Sequence, residues 1–187
     1  DNDGSIMASE LEVTTIRGLS SGADANKIIV PSGQTLAASG HIVNVTYGTH
    51  NAAGLSHSSD SWVNYTNSNI SVTKILGPGN VAGGSYLMII GHAWIEYSAN
   101  ANAKHLAYSI MRDGNELTGL NYGMGNLYSA SAGGYQSSAD VSFVDTGNYN
   151  AGTTHTYSMC LRANNTSTVQ MGNSGRLGTW QILEIAV

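Results

Sequence analysis

His50, His57 and Asp60 share the stretch 49–61 and could converge on a metal ion. Their spacing is loose, and no H-x-x-x-H pair on a helical pattern accompanies them, so no metal centre is expected. Gly18-Leu19-Ser20-Ser21-Gly22 has the spacing of a nucleophile elbow. That device needs a buried strand before the serine and a helix after it, and the following Ala23–Pro31 carries no amphipathic helical pattern. Gly77-Pro78-Gly79-Asn80-Val81-Ala82 imitates a dinucleotide-binding loop, but a strand pattern from Tyr86 stands where the phosphate-binding helix would start. Asp140 and Asp145 lie five apart on one strand pattern, so alternation sends them to opposite faces and they cannot form a glycosidase pair on their own. Neither catalytic residues nor a cofactor are expected, and the chain reads as a non-enzyme.

The stretch from Asn121 to Gln136 points instead to binding. It is written almost entirely in Tyr, Ser, Gly, Asn and Ala. Tyrosine supplies rigid amphipathic area, and small residues let a loop adapt and hydrogen-bond. Tyr122, Asn126, Tyr128, Tyr135 and Gln136, with His57 and Asp60 from the other loop, form the expected receptor-binding set. Stacked tyrosines beside amides would suit a sugar ring, so a host-surface glycan is a candidate partner. The competing reading has Tyr122, Tyr128 and Tyr135 covering the end of a sandwich or a neighbouring subunit.

The scaffold behind these residues reads as all-β. Short runs of Val, Ile, Tyr and Thr alternate with Gly/Asn/Ser/Asp clusters, the pattern of a sandwich. Strands are expected near 13–17, 27–30, 41–47, 61–65, 69–76, 85–97, 105–112, 116–122, 140–145, 154–163, 167–171 and 179–187. Asp113-Gly114 marks the clearest hairpin, because both positions tolerate the positive φ of a tight turn. Arg112 and Glu116 beside it read as surface charges or a subunit contact. Residues 1–40 read as an extended stalk or anchor, with two short apolar spurts, Ile28–Val30 and Leu36–Ala38; 41–187 read as the head. Met7 fits a natural start, with 1–6 an extension, and the acidic N-terminus does not read as a signal peptide.

Only 10% of the residues are charged, with a formal net charge of −5. This disfavours nucleic acid and anionic membranes as partners, and the longest apolar run, Tyr86–Ile95, is too short to insert in a membrane as a helix. Cys160 is the only cysteine and sits in a strand-like run as a small buried hydrophobe. In 85–97 one alternating set is Leu87, Ile89, Gly91, Ala93, Ile95 and Tyr97, the other Tyr86, Met88, Ile90, His92, Trp94 and Glu96. Both are largely apolar, whereas a strand with a wet face should be polar at every second position. The choice lies between a strand buried on both faces within the monomer and one that faces a subunit interface. A two-sheet sandwich has no layer outside its sheets, which favours the interface, with Tyr86, Met88, Ile90, His92, Trp94 and Trp180 expected to line it.

The runs Met7–Ile16 and Lys27–Leu36 resemble the openings of tail-fibre and virion-appendage proteins of marine bacteriophages. Ile42-Val43-Asn44-Val45, the Arg112-Asp113-Gly114 hairpin, Ser142–Thr146, Thr154-His155-Thr156-Tyr157 and Ile182–Ala186 are similar to landmarks of those proteins' C-terminal modules, which in turn resemble the trimeric jelly roll of complement and tumour-necrosis-factor heads. The resemblance implies a jelly-roll β-sandwich, a homotrimer on a virion, an N-terminal end that attaches to other virion proteins, and a head facing the host. A capsid decoration protein without a receptor, or an adhesin module outside any virus, are the alternatives. Leu76–Gly84 departs from the family pattern, in which a tighter turn is expected.

Overall fold

The computed structural model describes residues 38–50, 55–57, 60–99, 104–129, 133–163, 168–171 and 177–187. The strands expected at 13–17 and 27–30, the elbow-like Gly18–Gly22 and nearly all of the stalk segment 1–40 lie outside them. In chain order the strands are β1 (Ile42–His50), β2 (Leu55–His57), β3 (Val63–Asn64), β4 (Ile70–Thr73), β5 (Gly77–Pro78), β6 (Gly84–Ala99), β7 (Lys104–Arg112), β8 (Asn115–Glu116), β9 (Gly125–Ser129), β10 (Gly133–Asp145), β11 (Thr154–Ala163), β12 (Thr168–Met171) and β13 (Gly178–Ala186). One 3-10 turn, Thr66–Ser68, is the sole helical element among the described residues.

These strands form two antiparallel sheets packed face to face, a β-sandwich. In the first sheet the long β6 is central. β10 pairs along one edge of it, β12 and β13 follow one another along the other, and β2 and β1 pair outside β12 and β13. In the second, β7 and β11 form the centre, flanked by β3 and β4 beside β11 and by β8 and β9 beside β7. The core lies between them. Leu87, Ile89, Ala93 and Ile95 of β6 and Ile182 of β13 face Leu106 and Ile110 of β7 and Tyr157, Met159 and Leu161 of β11, all fully buried. Each of the Leu, Ile and Met side chains contributes roughly 1.5–3 kcal/mol through burial.

Trp180 overturns one expectation. It is not on the outer face with Met88 and Ile90 but in the core, 1% exposed. The register explains how so large a ring fits: Trp180 is flanked across the sheet by Gly48 of β1 and Gly91 of β6. A Cβ at Gly91 would stand 2.7 Å from the indole Cζ3 and 2.8 Å from Val141 Cγ2. The absent side chain at Gly91 makes space for the indole, whereas that at Gly48 makes space for Ile70.

The hairpin falls where expected, with Asp113 at φ 50° and Gly114 at φ 82°. Its flanking charges are not free surface groups. Arg112 Nη1 donates to Asp145 Oδ2 (2.7 Å). The Glu116 carboxylate accepts from Ser109 Oγ, from Thr118 N (3.0 Å) and Oγ1 (2.5 Å), and from Gly119 N (2.8 Å). That ring of donors holds 117–124 as an irregular crossing, so the strand expected over 116–122 is replaced by β8, the crossing and β9. β10 begins earlier than expected, at Gly133, because β6 offers a continuous edge that even a Gly/Ser-rich run can pair with.

Asp140 and Asp145 diverge as alternation requires. Asp140 is exposed beside His92, and Asp145 is buried. Leu76–Gly84 contains β5, which pairs parallel with the start of β6. Two buried ions tie it down. Lys74 Nζ donates to the carbonyls of Gly77 (3.0 Å) and Ser85 (2.6 Å), and the Glu184 carboxylate accepts from Ile75 N, Leu76 N (2.8 Å each) and Ser85 Oγ (2.5 Å). Burial lowers the Lys74 pKa, an effect that Glu184 and Asp145 partly offset.

Candidate functional site

The outer faces of the two sheets differ in what covers them. On the second sheet, Ser109 and Cys160 are opposite one another and point away from the core, yet both are fully buried. The 117–124 crossing lies over them: a Cβ at Gly123 would meet Ser109 Cβ and the ring of Trp62. Burial pushes the Cys160 thiol pKa well up, so this cysteine is inert.

Beyond the crossing, the same face opens into a depression of about 150 Å³ lined by Asp60, His105, Ala107, Asn121, Tyr122 and Arg162. Strand register builds it. Arg162, Ala107 and Asn126 form one row across β11, β7 and β9, and His105 stands opposite Tyr128 in the next. His105 lies between two rings, 5.3 Å from Tyr122 and 4.8 Å from Tyr128 by centroid. The tyrosines remain 53% and 56% exposed. Arg162 Nε donates to Asp60 Oδ1 (3.0 Å), and Nη1 donates to the Asn121 carbonyl (3.2 Å). Nη1 also donates to Asn121 Oδ1 (3.5 Å), so the guanidinium is fixed while its Nη2 hydrogens have no partner among the described residues.

The expected receptor-binding set is therefore divided. Asp60, Tyr122, Asn126 and Tyr128 meet on the outer face of the second sheet. Gln136 and Tyr135 do not join them, because they belong to β10 in the first sheet, opposite Glu96 and Tyr97. His57 lies on β2, also in the first sheet; its side chain falls outside the described residues. His50 is buried against Tyr65 and Gly178, away from Asp60's partner Arg162. Among the described residues no three His, Cys, Asp or Glu side chains gather as a metal site would need. His105, Asn121 and Arg162 were not among the expected residues. No local pattern marks them: β7 also carries Lys104, Ser109 and Arg112, and β11 also carries Thr154, His155, Thr156 and Ser158.

Among the described residues, the outer face of the first sheet carries no such cover. Tyr86, Met88, Ile90, His92 and Trp94 share it by alternation along β6, and all are half-buried or exposed. Register adds Leu183 and Ile185 from β13, Ile42, Val45 and Tyr47 from β1, and Val144 from β10. Ile42, Val45, Tyr47, Ile90 and Val144 are between 37% and 59% exposed. A polar band interrupts this surface: Ser142 and Gln181 flank Ile90, Thr179 flanks His92, His92 Nδ1 lies 2.7 Å from Asp140 Oδ1, and Ser138 Oγ donates to Oδ2 (2.9 Å). The hydrogen bond to His92 holds the Asp140 pKa below the usual carboxylate range despite a small opposing effect of burial.

The chain matches no protein-family model and no curated protein.

Proposed function

We propose that the chain is the head of a virion appendage, a non-enzymatic binding protein that forms a homotrimer and presents its loops to a host surface. The observation that carries this reading is the apolar outer face of the first sheet. Contiguous exposed apolar surface of this kind marks an interaction site. The second sheet covers its outer face with its own chain; among the described residues nothing covers the first sheet's outer face, so that face suits a partner, and a second and third copy supply the same apolar chemistry.

The strand order supports the jelly-roll expectation. Counting β1 with β2, β3 with β4, β8 with β9, and β12 with β13 as single ribbons, and leaving the short β5 aside, the sheets run 1-8-3-6 and 2-7-4-5 in chain order. That interleaving suits a double Greek key. The chain enters the head through 38–41, where Gly40 N donates to Ala186 O and Ala186 N donates to His41 O (2.8 and 2.9 Å). The depression with His105 and Tyr128 lies toward the opposite end of β7, which suits an N-terminal attachment to other virion proteins and an outward-facing binding surface.

The test is mass in solution. The chain should run as three copies of 19.5 kDa, and Val45→Glu with Ile90→Glu should give folded single copies, because a carboxylate buried at an interface costs several kcal/mol. A wild-type protein that stays a single copy at micromolar concentration overturns the trimer. A trimer that does not adsorb to host cells, in particles or alone, overturns the attachment role.

A further inference from the structure

We infer that the depression on the outer face of the second sheet binds one neutral pyranose ring, the end of a glycan, with Tyr122 against its C–H face and the Asp60–Arg162 pair on adjacent hydroxyls. The inference deepens the attachment reading and rests on it for the choice of face.

Size comes first. At about 150 Å³ the depression is roughly half the volume at which pockets for drug-sized ligands begin. It suits a single ring. Next is the pairing of donor and acceptor. Neighbouring sugar hydroxyls each donate and accept, so a diol is satisfied by a fixed cationic donor beside a carboxylate acceptor. Arg162 and Asp60 provide that pair at 3.0 Å, and Asn121 steadies the guanidinium from the other side. A carboxylate has about four acceptor positions and a guanidinium five donors. Among the described residues Asp60 receives only the bond from Arg162, so capacity remains on both partners.

Charge then narrows the ligand class. The two ions cancel, leaving the depression without a net charge to offer. A uronic or sialic acid carboxylate reaching for Arg162 would meet Asp60, an arrangement that rejects acidic sugars. The rings complete the site. The C–H face of a pyranose is apolar and slightly positive, and the face of Tyr122 is negative and more than half exposed. His105 packs against Tyr122 from within the lining and is held on its other side by Tyr128.

The residues are also poor candidates for a purely structural role. Asp60's side chain is 66% exposed, and exposed ion pairs contribute little to stability. They can therefore be changed without unfolding the head. The experiment is titration calorimetry on the intact chain with the methyl glycosides of glucose, galactose and mannose, and with glucuronic and N-acetylneuraminic acids. At least one neutral glycoside should bind, with roughly millimolar affinity per site, and the acids should not. Asp60→Asn and Tyr122→Ala should each weaken binding about tenfold without altering the mass or the thermal midpoint. Failure of all three neutral glycosides at their highest soluble concentrations overturns the inference, as does binding of an acidic sugar in their place. If Tyr122→Ala abolishes cell adsorption while no sugar binds, this inference falls and the attachment reading stands. If a neutral sugar binds and adsorption does not depend on it, the sugar site stands and the attachment reading falls.

Discussion

Replacing Asp145 with alanine should strongly destabilise the head. Asp145 is 5% exposed and accepts from Arg112 Nη1 (2.7 Å), Tyr157 OH (2.7 Å), Tyr149 OH (3.1 Å) and Gly147 N (3.0 Å). Arg112 lies over the Tyr149 ring at 4.9 Å, and Tyr149 stacks on His155 at 4.1 Å, so one carboxylate organises the whole end of the sandwich. Alanine would leave Arg112 and the fully buried Tyr157 hydroxyl without their partner. Removing one member of a buried ion pair costs about 3–5 kcal/mol. For a chain of this length each kcal/mol lowers Tm by about 2–4 °C, so the expected fall is roughly 6–20 °C.

Calorimetry at one fixed protein concentration measures this cleanly, since self-association would otherwise move Tm. Asp145→Asn, which keeps the shape and one acceptor oxygen, should lose less. The pH dependence gives an independent check. Burial raises the Asp145 pKa, but Arg112, Tyr157 and the Gly147 N–H outweigh it and hold the group below the usual carboxylate range. A depressed folded-state pKa means the contribution is complete above about pH 4 and is lost as pH falls through the folded value. The gap between wild type and Asp145→Ala should therefore close on acidification. The same carboxylate, together with burial, raises the Tyr149 pKa to about 12. A fall in Tm of under about 2 °C for Asp145→Ala, the equivalent of 1 kcal/mol or less, would refute this account of the cluster.

Gly91→Ala should cost about 1–3 kcal/mol by overpacking against Trp180 and Val141; an unchanged urea midpoint would mean that the indole has room to move. His50 is buried, and that burial lowers its pKa from 6.5. The unfolded chain therefore takes up a proton there before the native state does, so stability should fall as pH drops below about 6.5. His50→Leu should flatten that slope between pH 7 and 5.5, and a slope equal to wild type's would place its origin elsewhere.

Period-two patterning carried most of the fold into view. It separates Leu87 and Ile89 from Met88 and Ile90 on β6, sends Asp140 and Asp145 to opposite faces, and brackets the Asp113-Gly114 turn. Alternation divides a strand into two sets without saying which set is the core. Trp180 therefore differs from the expectation: the space for its indole is left by Gly91 on a neighbouring strand. Arg112 and Glu116 looked like surface charges because their partners, Asp145 at 33 residues' distance and the Ser109 hydroxyl across the hairpin, are contacts of the folded state. The binding face was half legible. Tyr122, Asn126 and Tyr128 stood out by composition, whereas Arg162 reaches Asp60 across 102 residues, a separation that local pattern does not register.

Val187 N donates to Gly84 O (3.0 Å) close to where Gly40 meets Ala186, so the main chain arrives and departs at the same pole of the head. A purification tag, fluorophore or bead attached at Val187 would thus sit at that pole, away from Tyr122 and Tyr128. Copies immobilised through Val187 would share one orientation on a chip, without chemical cross-linking of the chain's few lysines.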